Sequence, residues 1–228
     1  MSSALALPAG RRVNVCFHGV DRPRRALEHG ENKYWVSHDE FLRLADAFAT
    51  WDALSLSFDD GNVSDVEIVL PALVERGMTA TFFVLAGRLD QPGSLTTGDV
   101  QELVEAGMTV GSHGWTHTPW TRLDGVELDR EVIDARDLIA EITGAPVTTA
   151  ALPLGQYNRA VLKAARHAGY STLFTSDRQT TGANSWRQAR FSVQKGTTPE
   201  SLTTAVATAL ETHRRVYSTL KQFRKSWS

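Results

Sequence analysis

The chain has 228 residues, and its 24 Lys and Arg nearly balance 26 Asp and Glu, for a formal net charge of −2. That balance lacks the basic footprint of a nucleic-acid partner or a general membrane affinity. The 42% hydrophobic content suffices for one domain with a substantial core. A single cysteine, Cys16, excludes an intrachain disulfide and fits a reducing compartment. Arg11 and Arg12 follow the few apolar residues at the start rather than preceding them, and no later run is long enough to span a bilayer. A cytoplasmic location is therefore expected.

Strand and helix signals alternate along the chain. Residues 13–20 (VNVCFHGV) read as a strand closing near His18-Gly19, and a charged loop covers 21–34. Ser37 and Glu40 have capping-box spacing, and Phe41, Leu44, Ala45 and Phe48 then recur at helical intervals. In the next strand, 54–58, Leu54, Leu56 and Phe58 alternate with small residues and lead into Asp59-Asp60-Gly61. A helix over about 64–75 stops at Gly77, and the β-branched and aromatic run 79–85 predicts a buried strand. A helix over 97–106 ends at Gly107, and a short strand over 108–112 enters His113.

Further on, a helix over 125–142 closes at Gly144, strand 147–152 runs into Pro153-Leu154-Gly155, and Asn158 caps a helix reaching His167. Strands over 171–175 and 191–193 and a helix over 199–213 complete the pattern. Repeated strand–helix units predict parallel pairing, in an α/β barrel or a doubly wound sheet. No linker divides the chain, so one domain over 1–228 is expected, with a core over 13–213. The basic tail over 214–228 holds Arg214, Arg215, Lys221, Arg224 and Lys225 and reads as a solvated terminus.

Two stretches carry the chemistry. In a regular strand Asp59 and Asp60 would point to opposite faces, and Gly61 supplies the backbone freedom to bring both to one cleft. Like charges packed side by side raise one pKa, a conflict that a bound cation removes, leaving one acid as ligand and the other as base. In Ser112-His113-Gly114-Trp115-Thr116-His117, two histidines stand at i and i+4, a spacing that on a helical turn presents both rings to one metal. Either stretch alone is ordinary: a surface turn, or hydrogen-bonding histidines. Both follow strand ends, however, which in a parallel architecture gather on one face. A carboxylate with two imidazoles leaves coordination positions open, as a catalytic metal site requires.

Phe58-Asp59-Asp60-Gly61 and His113-Gly114-Trp115-Thr116-His117 resemble the first two signature motifs of the polysaccharide deacetylases, the NodB-homology group (carbohydrate esterase family 4). Leu152-Pro153-Leu154-Gly155-Gln156-Tyr157-Asn158 resembles the third, and Ser176-Asp177 stands where the fourth is expected. The resemblance covers about residues 13–193. It implies a distorted (β/α) barrel of about seven parallel strands and a metal-dependent hydrolase that removes acetyl from an N-acetylated sugar. It also implies Asp59 as general base, Asp60, His113 and His117 as ligands of a divalent metal (zinc, with cobalt or nickel as alternatives), and Leu154 and Gly155 as substrate contacts.

The chain departs from the family pattern in two places. The acid that protonates the leaving amine is usually a late histidine, yet only His167 and His213 follow the metal pair, and both fall on expected helices. His18, closing the first strand, is the better candidate, as in the permuted poly-N-acetylglucosamine deacetylases. Ala151 stands where many members carry an arginine that sets the base. These departures favour an alternative, a deacetylase-fold carbohydrate-binding or regulatory protein without turnover. A non-haem iron oxygenase also uses two histidines and a carboxylate, but the neighbouring Asp59 argues against it.

Overall fold

Alternation within each strand decides what faces what. In the computed structural model, which describes residues 7–225 with side chains to residue 212, β1 (Arg11–Phe17) turns Val13, Val15 and Phe17 to one side and Asn14 and Cys16 to the other. After His18 the chain forms β2 (Gly19–Val20), which pairs in parallel with β3 (Trp35–Val36). The charged loop joining them returns to the barrel mouth, where residues 28–31, 33 and 34 line a cleft. α1 (His38–Phe48) carries the expected Ser37–Glu40 capping box. Then come β4 (Leu54–Asp59), a π-helical turn over Asp65–Val69, α2 (Leu70–Glu75), β5 (Ala80–Val84), α3 (Thr97–Glu105) and β6 (Thr109–Ser112). α4 (Gly125–Asp129) and α5 (Ala135–Thr143) flank a second π-helical turn, Arg130–Asp134. The chain finishes with β7 (Thr149–Ala151), α6 (Arg159–His167), β8 (Thr172–Thr175), β9 (Thr181–Gly182), β10 (Arg187–Ser192) and α7 (Pro199–Lys225).

Among the described residues, seven parallel strands follow the order β10-β8-β7-β6-β5-β4-β1, and β10 pairs back onto β1 to close a barrel. The fold is thus the distorted (β/α) barrel, and the doubly wound sheet is excluded by that closure. Its outer strand face and the helices share the main core. There Phe17, Phe58 and Phe82 lie in register across β1, β4 and β5, with ring centroids 5.2 and 5.1 Å apart. Burying such rings contributes about 3–5 kcal/mol each against alanine, which fixes the strands whose ends carry His18 and Asp59. The opposite face fills the barrel interior with polar and small side chains (Asn14, Ser57, Gln188, Arg190) and a separate apolar patch of Phe83, Ala151 and Phe174.

Several boundaries differ from the sequence expectation. β10 begins four residues before the expected 191, because Gln188 and Arg190 point into the interior and mask the apolar signal. The small sheet of β2 and β3, and β9, antiparallel to β1, were not expected. α7 runs to Lys225, beyond the expected end at 213, whereas the side chains of His213 and the basic tail lie outside the described residues.

Asp65, in the first π-helical turn, is fully buried. Burial, with the Asp60 charge added, pushes its carboxyl well above the usual range, and the nearby Asn62 N–H, outside hydrogen-bond geometry, offsets only part of this. A raised folded pKa gives stability that is complete below the unfolded value of about 4 and is lost as pH rises through the folded value. In denaturant unfolding, neutral Asp65→Asn should therefore gain stability over the parent between pH 4.5 and pH 8. A parent that gains on the variant over that range would show the carboxylate to be ionised and partnered.

Candidate active site

The C-terminal ends of the parallel strands open into a cleft of about 260 Å³. His18 follows β1, Asp59 ends β4, His113 follows β6, Leu152 follows β7, Ser176 follows β8 and Ser192 ends β10, and all six line it. Asp60, His117, Leu154 and Gly155 line it as well, so the residues singled out by the motifs share one site. Asp177 instead turns away, accepting from Tyr157 Oη (3.0 Å) and Thr175 Oγ1 (2.8 Å).

Asp59 and Asp60 reach the same cleft because Asp60 itself takes a left-handed backbone (φ 79°), followed by Gly61 at φ 64°. Gly61 alone does not do it. The histidine pair also differs from expectation, since residues 113–118 form a loop and not a helical turn. Gly114 (φ 90°) and His117 (φ 64°) bend that loop. Buried Glu131, from the second π-helical turn, clamps it by accepting from Trp115 N–H (2.6 Å), Thr116 N–H (3.0 Å) and the Thr116 hydroxyl. A side chain at Gly114 would collide with the Glu131 carboxylate and Trp120, so glycine is required there on both counts.

His113 Nδ1 lies 2.9 Å from the carbonyl oxygen of Ala151, and His117 Nδ1 lies 2.8 Å from Glu28 Oε2. A carbonyl and a carboxylate can only accept, so both Nδ1 atoms bear the proton. The two Nε2 atoms face Asp60 Oδ1, at 3.6 and 3.5 Å. Burial pushes the His113 imidazole down to about 4, so it is neutral. Burial acting alone would raise the Asp60 pKa, but the attraction of His117, His18 and His113 in their charged imidazolium form holds its carboxyl below the ordinary range. Both Asp60 oxygens are buried without a hydrogen-bond partner. Unpartnered anionic oxygens facing two imidazole nitrogens fit a divalent cation. Carboxylate and imidazole donors suit zinc, cobalt or nickel alike.

Asp59 is held differently. Burial would raise its pKa, yet Arg190, 1% exposed, grips both of its oxygens, at 2.6 and 2.7 Å, and holds the carboxyl far below the ordinary range. Arg190 also donates to Ser57 Oγ at 3.1 Å. Ala151 thus lacks the arginine side chain, but the barrel supplies a guanidinium from β10. Cys16, His18 and Asp59 also cluster within 4.8 Å, but Arg190 already neutralises the Asp59 charge and burial pushes the Cys16 thiol up, so they do not form a second cation site. The His18 ring stacks on Tyr34, with centroids 4.6 Å apart, and its Nδ1 is buried without a partner. Leu154 (φ 53°) exposes its side chain, while Gly155 N–H donates to Leu152 O (2.9 Å) and its missing Cβ leaves space for Ser176.

Three residues were missed in the sequence. Arg190 had a faint signal, an arginine two residues after Gln188 in a strand whose alternate residues are apolar. Glu28 and Glu131 had none, because nothing local marks one acid in a charged loop or on a polar helix as a clamp.

Asp60, His113 and His117 thus form a candidate cation site at the C-terminal mouth of a closed parallel barrel. Residues 50–173 match the family model for polysaccharide deacetylase, and the chain belongs to that family. It is 34% identical over 109 residues to the peptidoglycan-N-acetylglucosamine deacetylase PgdA of Listeria monocytogenes, covering 47% of this chain and 22% of PgdA. It is also 34% identical over 107 residues to the peptidoglycan-N-acetylmuramic acid deacetylase PdaC of Bacillus subtilis, covering 46% of this chain and 22% of PdaC. The chain spans about half or less of the length of the first curated relatives it matches. Its fold is similar to that of the Streptococcus pyogenes deacetylase PplD in complex with acetate (TM-score 0.74, 18% identity, 86% of this chain and 98% of that one).

Removing one partner of a buried ion pair leaves the other charge uncompensated, a loss of about 3–5 kcal/mol. Arg190→Ala should therefore lower unfolding stability by that much at pH 7, and Asp59→Asn in the same background should restore part of it. Additive losses in the double variant would show that the two side chains do not act as a pair.

Proposed function

We propose that this chain is a metal-dependent N-deacetylase acting on an N-acetylated sugar or glycan, with Asp60, His113 and His117 as the metal ligands. The observation that carries the reading is the convergence of the His113 and His117 Nε2 atoms on the unpartnered Asp60 carboxylate. Family membership sets the reaction class, and the substrates in the names of PgdA and PdaC point to an N-acetylated glycan. When bound, a divalent ion supplies Lewis acidity at the amide carbonyl and a more acidic water.

The chain's own groups supply the rest. Arg190 guarantees that Asp59 is an anion able to orient a water and accept its proton, at the expense of basicity. His18, with one ring nitrogen within 4.8 Å of an Asp59 oxygen, stands at the same mouth to protonate the departing amine. Its place directly after β1, ahead of the Asp-Asp motif in the chain, supports the permuted arrangement. Tyr34 stacks on the His18 ring and limits its rotation. Leu152 and Leu154 present an apolar wall suited to the acetyl methyl. The case for an inactive protein rested partly on the arginine missing at Ala151, and the bidentate Arg190 removes that ground.

Acetate release from a panel of N-acetylated sugars, with zinc, cobalt or nickel added, tests this directly. His117→Ala should lose both metal and turnover, and Asp59→Asn should lose most turnover while keeping the metal. Full metal occupancy in His117→Ala by elemental analysis would overturn the ligand set.

The assignment of the acid has its own test. His18→Ala should keep the fold and the metal yet lower turnover by about a hundredfold or more. Near-normal activity in that variant would remove His18 from the mechanism and with it the permuted reading.

A further inference from the structure

The charged loop over 21–34 delivers a group to the cleft that the catalytic reading has not used. Glu28 Oε2 accepts from His117 Nδ1 at 2.8 Å, and its other oxygen pairs with Arg88, from the segment after β5. The Glu28 peptide N–H donates to Glu31 Oε2 at 2.8 Å. Glu31 is paired with Arg25 and accepts from Trp35 Nε1 at 3.3 Å, and Arg25 Nε donates to Asn62 Oδ1 at 2.9 Å, two residues beyond Asp60. The Glu28 carboxylate is thereby fixed both from its own loop and from the loops after β4 and β5.

We propose that Glu28 is a positioning residue for His117, selecting the tautomer that leaves Nε2 free for the cation and holding the ring against rotation. The inference rests on reading Asp60, His113 and His117 as the metal ligands. Which nitrogen of a histidine carries the proton is set by the partner of the other. An unconstrained neutral histidine favours the proton on Nε2, the nitrogen that must be bare here. His113 escapes this through the Ala151 carbonyl, a main-chain acceptor that no side-chain substitution removes. His117 has no such carbonyl at Nδ1, and its acceptor is a side chain 89 residues away. Loss of an outer partner of this kind lowers metal affinity by about 10–100-fold. Glu28 is 42% exposed, so replacing it leaves no cavity in the core.

Two measurements on the full chain test the role. One is the long-range ¹H–¹⁵N correlation spectrum of the His117 ring in metal-free protein, and the other is zinc affinity by competition with a chromophoric chelator. The parent should show the Nδ1–H tautomer. Glu28→Ala should shift His117 toward Nε2–H and weaken zinc by about 10–100-fold. Glu28→Gln, whose amide oxygen still accepts, should keep the tautomer and lose less affinity. Arg88→Ala retains the Glu28–His117 bond and should stay nearer the parent than Glu28→Ala. The proposal fails if Glu28→Ala keeps both the parental tautomer and parental zinc affinity while His117→Ala loses zinc. It also fails if Arg88→Ala matches Glu28→Ala in both readouts, which would mean the contact only braces the loop. Equal zinc binding by the parent and His117→Ala would overturn the ligand set itself, a different outcome visible without any Glu28 variant.

Discussion

Arg190 and Asp59 meet inside the barrel across the one strand that separates β10 from β4. β1 pairs with both of those strands, and only that double pairing brings the guanidinium over the carboxylate. Two fully desolvated charges are expensive unless geometry and hydrogen bonding are close to complete. Here both carboxylate oxygens are engaged, and Ser57 takes a further guanidinium N–H. The ring centroids of Phe83 and Phe174 lie 5.4 and 5.8 Å from the guanidinium carbon, and the rings give it aromatic faces in place of water. Closing the barrel and setting the charge of Asp59 are therefore one event. An open sheet with the same strands would leave Asp59 without its counter-ion.

The strand–helix alternation and the gathering of motif residues at strand ends were legible in the sequence, because both rest on local periodicity. Leu54, Leu56 and Phe58 announce a strand, and a strand of that kind delivers the residue after it to the mouth. The conformation of each motif was less legible. The i, i+4 spacing of His113 and His117 suggested a helical turn, whereas the rings meet through a loop whose shape is dictated by Glu131, a residue 14 positions beyond His117. Arg190 was hidden for a similar reason. An interior-facing arginine breaks the apolar run that marks a buried strand, and its partner lies 131 residues earlier. Long-range pairings between charged residues leave no periodic trace.

Ala151 shows how a side-chain motif can mislead about a position. As a side chain it is a loss, but its carbonyl fixes His113 and its small Cβ sits among Phe83 and Phe174. The two histidines end with the same nitrogen turned inward by unlike means, one by main chain and the other by a carboxylate from a distant loop. The first is built into the barrel and the second depends on how that loop folds back.

Six non-glycine residues among those described have left-handed backbones, and three of them, Asp60, His117 and Leu154, border the cleft. For an L-residue that conformation stores about 1–2 kcal/mol, somewhat less for aspartate. Glycine would relax each position and erase the side chain, so selection for thermal robustness alone would drift toward an inert protein. An engineer raising the melting temperature of this barrel should therefore leave these three positions alone and look for gains on the helices. The local tension in the backbone is the conformational signature of where the chemistry sits.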